Sequence, residues 1–327
     1  MKKLISLLLL LSLCLVFAGC ANPLASTTAP TTTAPSSDSV SIRVGYLSGS
    51  TGLGMAKLIS DSRADAGSTM TFQPYEKPVE IMVAIAAGSI DFACLPTNAF
   101  PNFYNSMKQS IRLAAINTLG VLYITTNGES ITSLSDLSGK TVYVPEAAPK
   151  LVLQYLLNLY GITDVTLDME YDLDTLPPAH AAGNAKIALL PEPKVTVATN
   201  LAAQSGKALT VALDLSALWS AESESPLTQG ALLVSDAFAS AHPDAVNEFL
   251  TLYEASIEYM AQPSNLDSAA QYAVDAGILP NLKVAKSAIP RCNLTFISGS
   301  EMKTAASGFF AALGIAVPSG NWCYGAD

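Results

Sequence analysis

The apolar and polar positions of this chain fall into two successive series of short β-rich runs separated by helical ones. Ile42-Arg43-Val44-Gly45-Tyr46-Leu47 alternates and predicts a first strand. It runs into a turn of small residues, 48–54, and a helix starting at Met55. Residues 69–73 predict a second strand, 78–87 a helix closed by Gly88, and 90–95, 111–117 and 121–125 further strands. The second series begins with a turn at 134–140 and a strand at 141–144. A helix follows with Pro149 near its start, ending at Tyr160 before Gly161, the favoured placement of proline early and glycine late. Strands are expected at 165–169, 186–190, 209–213 and 230–234. Residues 242–260 predict a long helix whose stripe of Phe249, Leu250, Tyr253, Ile257 and Met260 marks a core face. Strands alternating with helices define an α/β protein, with an expectation of parallel sheet layers.

The first forty residues follow neither period. Lys2 and Lys3 precede an apolar run from Leu4 to Phe17, and Ala18-Gly19-Cys20 follows at once. The run is short for a permanent membrane span. A basic start, an apolar stretch and small residues before a cut describe a signal peptide. A cysteine directly after Ala18-Gly19 resembles the bacterial lipoprotein signal: 1–19 is expected to be removed and Cys20 to carry the lipid. Residues 20–40, rich in Ala, Thr, Ser and Pro, cannot repay their ordering entropy and are expected to form a flexible tether. The folded body is then 41–327, outside the cytoplasm at a bacterial cell membrane.

Composition narrows what that body does. The chain is 50% hydrophobic and 13% charged with a net charge of −10, which loss of Lys2 and Lys3 takes to about −12. An acidic body without a basic run argues against nucleic acid and against charge-driven lipid binding. Beyond the signal and anchor there are three cysteines, Cys94, Cys292 and Cys323; the late two could pair in an oxidising compartment, and Cys94 lies on a strand expected to be buried. His180 and His242 stand far apart, no CxxC occurs, and no metal or cofactor is expected; His242 reads as a surface residue. The glycines at 45, 49, 52 and 54 have neither dinucleotide nor phosphate-loop spacing, but the turn offers backbone N–H groups beside the Ser50 and Thr51 hydroxyls. With no nucleophile elbow and few histidines, catalysis is not expected.

Five blocks together carry a resemblance. Ile42 to Tyr46 with its small-residue turn, Glu80 to Ala93, Leu134 to Val142, Leu190-Pro191-Glu192-Pro193, and Ser235-Asp236-Ala237-Phe238 through Val246 are similar, in order and spacing, to solute-binding proteins of bacterial ABC importers. The group is that of sulfonate-, nitrate- and thiamine-precursor-binding proteins (NMT1/THI5-like). The resemblance implies the type 2 periplasmic-binding-protein fold: two α/β lobes, a ligand cleft and two crossover segments. Lobe one would comprise 41–120 and 231–327, and lobe two 121–230. A monomer would capture a small-molecule solute and present it to a membrane permease with its ATPase.

Ligands of such sheets lie beyond the carboxyl ends of strands. That places Ser50, Thr51, Thr97, Asn98, Glu146, Ala147, Ala148 and Glu192 around one cleft. The Trp-Glu-Pro frequent among these relatives reads Leu190-Pro191-Glu192-Pro193 here, so the aromatic must come from elsewhere, with Tyr75, Phe100, Tyr104 and Trp219 as candidates. Glu146 and Glu192 would repel an oxyanion and accept hydrogen bonds from an amine or aminopyrimidine, so a nitrogen-containing or aromatic metabolite is expected. The alternatives are a small oxyanion such as a sulfonate or nitrate, and a role as the ligand-sensing partner of a membrane receptor. Enzymes of pyrimidine synthesis share such lobes but need a histidine- and cysteine-rich region that this chain lacks.

Overall fold

The computed structural model describes residues 40–326. The expected signal, Cys20 and nearly all of the tether lie outside them. Eleven strands form two sheets among the described residues. They are β1 (Ile42–Leu47), β2 (Met70–Tyr75), β3 (Phe92–Pro96), β4 (Ile111–Leu119), β5 (Leu122–Thr126), β6 (Thr141–Tyr143), β7 (Thr166–Asp168), β8 (Ile187–Pro191), β9 (Thr210–Asp214), β10 (Thr228–Ser235) and β11 (Leu294–Ile297). The first sheet has the order β11-β4-β10-β3-β1-β2 and the second β7-β6-β8-β5-β9. This is the two-lobed type 2 fold, one α/β sheet to a lobe.

The expected parallel layers are corrected to mixed sheets. β1, β2 and β3 run parallel, whereas β10 is antiparallel to both β3 and β4, and β5 is antiparallel to both β8 and β9. The reversed strands are those that carry the chain between sheets: β4 passes to β5 through Gly120-Val121, and the chain returns to the first sheet at β10. A strand entering from the other lobe meets its neighbours head-on, without the crossover helix that parallel pairing requires.

Alternate residues of the central strands face opposite sides of the first sheet. Leu113, Ala231 and Leu233 enter one hydrophobic cluster, and Ala114, Leu232 and Val234 enter another with Phe249, Tyr253, Ile257 and Met260 of the Pro243–Ala261 helix. The first cluster continues into the second lobe through Ile124, Val142, Leu153 and Ile187. Phe92 stacks on Phe249 with ring centroids 4.2 Å apart, fixing the long helix to β3. The Lys194–Gln204 helix packs against the second sheet through Val195 and Ala198.

Several family-like blocks prove to be fastenings at turns and strand ends. Asp91, almost wholly buried, accepts from the Arg43 backbone N–H at 2.9 Å and from its guanidinium at 2.6 and 3.0 Å, tying β1 to β3. Asp136 accepts from Thr132 and Ser133, hydrogen bonds that lower its carboxyl to about 2. Ser235 caps the Asp236–Ala241 helix, and Asp236 accepts from Arg112 Nε at 2.6 Å. No helix of the described residues is long and apolar enough to cross a membrane.

Candidate functional site

The carboxyl ends of β1 and β3 and the start of β10 meet where the chain crosses between sheets. The turn after β1 is glycine-rich for steric reasons. A Cβ on Gly52 would lie 2.1 Å from the Leu47 carbonyl oxygen, and Gly49 holds φ +88°. Asn117 Nδ2 donates to the Thr51 carbonyl at 3.0 Å and to Tyr253 Oη at 2.9 Å, and Thr118 Oγ1 donates to the Ser50 carbonyl at 3.1 Å. Ser50 and Thr51 are thus fixed to the crossover strand and are almost buried. The helix they open, Ser50–Leu53, is a single turn.

Thr97 and Asn98 begin the turn after β3. Thr97 is 0% exposed, and its Oγ1 is buried without a hydrogen-bond partner. Thr228, at the start of β10, is in the same condition. Gly230 pairs with Pro96 in antiparallel register, so two residues further Thr228 comes alongside the Thr97–Ala99 turn. Two orphan hydroxyls therefore share one end of the sheet. Thr228 escaped sequence reasoning because nothing marks the first residue of a strand as lying beside a distant turn; only the register reveals it.

On the second lobe, Glu146, Ala147 and Ala148 open the Ala147–Leu159 helix, where the N–H groups of Ala147 and Ala148 precede Pro149. Glu146 makes no side-chain cap. It is reached by water, yet enough protein surrounds its carboxyl that desolvation, together with Asp174 and Asp172, raises its pKa. Lys194 opposes that rise, but it is already paired with Asp174 at 2.7 Å.

Glu192 stands apart from a free ligand group. It is 1% exposed and accepts from Arg291 Nε at 2.6 Å, from Thr196 Oγ1 at 3.2 Å and from the Thr196 N–H at 3.3 Å. Burial raises its pKa, and the Arg291 charge opposes the rise.

Among the aromatic candidates, Tyr75 ends β2 beside Leu47, at the carboxyl end of β1. Trp219 is wholly buried, packs between Tyr155 and Phe309, and donates its indole N–H to the Ser225 carbonyl at 2.7 Å. Phe100 and Tyr104 are buried beside Trp322, and Tyr75 lies over Gly45 in the interior of β1. Cys292 and Cys323, which could have paired, are free thiols buried in clusters on opposite faces of the first sheet. His242, exposed, packs its ring at a tilt against Phe238, and His180 is buried with Nε2 unpartnered. Among the described residues no group of three or more His, Cys, Asp or Glu could hold a metal ion.

A two-lobed body with one mixed α/β sheet to a lobe, crossed twice by its chain, has the architecture of type 2 periplasmic solute-binding proteins. The chain belongs to the NMT1/THI5-like family, whose model matches residues 64–265. Among solved structures it is similar to an ABC transporter protein from Parabacteroides distasonis at 19% identity, covering 87% of this chain and 98% of that one with TM-score 0.71. It also resembles the periplasmic aliphatic sulphonate binding protein SsuA of Escherichia coli at 17% identity, with coverage of 85% and 94% and TM-score 0.64. The alkanesulfonate-binding protein SsuA of Xanthomonas axonopodis pv. citri, solved with MOPS, gives 15% identity, coverage of 86% and 96%, and TM-score 0.61. Comparison with curated protein sequences finds no match.

Proposed function

We propose that this protein is the extracytoplasmic solute-binding component of an ABC importer, tethered to the membrane by a lipid on Cys20 and capturing a small nitrogen-containing metabolite between its lobes. The carrying observation is the pair of buried, unpartnered hydroxyls, Thr97 Oγ1 and Thr228 Oγ1, at the crossover end of the first sheet. A buried polar atom without a partner costs stability, and a solute that hydrogen-bonds to it removes that cost on binding.

The charge of the second lobe favours a hydrogen-bond donor over an oxyanion. Glu146 is held in the field of Asp172 and Asp174, and the cations nearby, Lys194 and Arg291, are already engaged with Asp174 and Glu192. The SsuA proteins are named for sulfonates; here an anion would meet carboxylates without an uncommitted cation. The lobes divide in this reading at 120/121 and, instead of the expected 230/231, before Thr228, because β10 lies in the first sheet over its whole length; the solute is enclosed on their closure.

Native mass spectrometry of protein purified from its own host, followed by calorimetry against the released metabolite, tests the proposal. An amine-bearing small molecule bound one to one is the expected result. No bound solute, together with no thermal shift across a metabolite panel, defeats it. Cys20→Ser should release the body from the membrane and leave solute affinity unchanged.

A further inference from the structure

We propose that Glu192, Thr196 and Arg291 form a clasp between the lobes that sets how readily they separate, a role that deepens the solute-binding reading and rests on it. Glu192 and Thr196 follow β8 in the second sheet. Arg291 ends the turn Ile289–Arg291, whose neighbours Ile289 and Cys292 are buried against the first sheet. The contact therefore joins the two lobes and is made wholly of protein groups.

Its geometry closes on itself. The Arg291 guanidinium reaches Glu192 Oε1 through Nε at 2.6 Å and through Nη2, which also donates to Thr196 Oγ1 at 2.8 Å. Thr196 in turn donates to both carboxylate oxygens. The same turn holds the crossover: Tyr123 Oη donates to the Arg291 carbonyl at 3.3 Å, Leu119 N–H donates to the Asn293 carbonyl at 2.9 Å, and Asn293 Nδ2 donates to the Gly120 carbonyl. Glu192 itself donates its backbone N–H to the Val121 carbonyl at 2.9 Å, beside the crossover.

The pair is asymmetric, with the Glu192 side chain 0% exposed and that of Arg291 39% exposed. Moving Arg291 away leaves a desolvated carboxylate uncompensated, so separation is opposed until water reaches it. Hydrogen bonds weaken steeply with distance, so even the small displacement expected close to a hinge breaks this one. The clasp thus fixes the fraction of molecules in the closed form, and apparent solute affinity scales with that fraction.

The test is the interlobe distance distribution of the full chain without added solute, by electron–electron resonance between labels at Ser89→Cys and Lys186→Cys. Arg291→Met should raise the ratio of separated to closed lobes on the order of tenfold. Glu192→Gln, which can still accept from Arg291, should shift it less in the same direction. Distributions identical to wild type in both variants overturn the clasp and leave an ordinary structural ion pair. Should Arg291→Met fail to fold, Glu192→Gln decides alone, an unchanged distribution again overturning it. Solute binding is read separately by calorimetry on the unsubstituted protein, so its failure defeats the importer reading without changing the distance result.

Discussion

Thr97→Val separates a hydroxyl reserved for a solute from one that serves the fold. Thr97 is 0% exposed with Oγ1 unpartnered, and valine reproduces its shape with a methyl in place of the oxygen. An unsatisfied buried polar group costs about 1–3 kcal/mol, whereas a methyl there costs nothing comparable. The variant should therefore be more stable than wild type without solute, by on the order of 1 kcal/mol, a gain of roughly 2–4 °C in a protein of this size. In the same variant the solute loses a hydrogen bond of about 0.5–1.5 kcal/mol, weakening affinity roughly two- to tenfold. Heat and urea unfolding without solute give the first quantity, and calorimetry with the metabolite recovered from the native protein gives the second. If Thr97→Val loses more than about 1 kcal/mol without solute, the hydroxyl has a standing partner such as an ordered water, and the reasoning fails. Thr228→Val repeats the test from the other strand.

Trp219→Ala should destabilise by about 3–5 kcal/mol in urea unfolding, because a wholly buried ring between Tyr155 and Phe309 leaves a cavity; a loss of affinity without that loss of stability would return Trp219 to the binding site. Burial raises the thiols of Cys94 and Cys323 to about 12 and pushes that of Cys292 up as well. None of the three should react with a thiol reagent at pH 8 until the protein is unfolded, when all three should; rapid reaction of the native protein would contradict their burial. Glu146→Gln should leave stability at neutral pH unchanged or slightly higher, since a carboxyl whose pKa is raised in the folded state is one whose charge folding disfavours. For an amine-bearing solute, affinity should fall as pH drops through the range just above the ordinary carboxylate value, where Glu146 gains its proton, and the Gln variant should lose that dependence.

Much of the fold could be read from local pattern because burial imposes its period on neighbouring residues. The stripe from Phe249 to Met260 lies in the core as its helical spacing requires, and the alternation of Ile42 to Leu47 is a strand. The helix expected to begin near Pro149 starts two residues earlier, at Ala147. No local pattern marks β11: an edge strand of four half-buried residues carries too little alternation to stand out.

The site was legible only as a set of turns. Strand ends could be placed from the breaks in pattern, so Ser50, Thr51, Thr97, Glu146 and Glu192 were nameable without a fold. What each does there was not, because that depends on residues far away in sequence. Glu192 has the local pattern of a free acceptor, and only the fold brings Arg291, 99 residues on, against it. Trp219 looked available because an aromatic residue carries the same local signal whether it lines a cleft or fills a core.

By itself, the sequence determined the α/β class, the two series of elements, and the blocks whose order marks the family, since these rest on contacts within a few turns of chain. Tertiary structure alone decided the direction of β5 and β10, the burial of the three cysteines on their separate faces, the orphaning of Thr97 and Thr228, and the engagement of Glu192. A strand has the same alternation whichever way it runs, and a polar side chain the same formula whether or not its partner arrives. Direction and partnership are set when the chain crosses between the sheets, and no local period records that crossing.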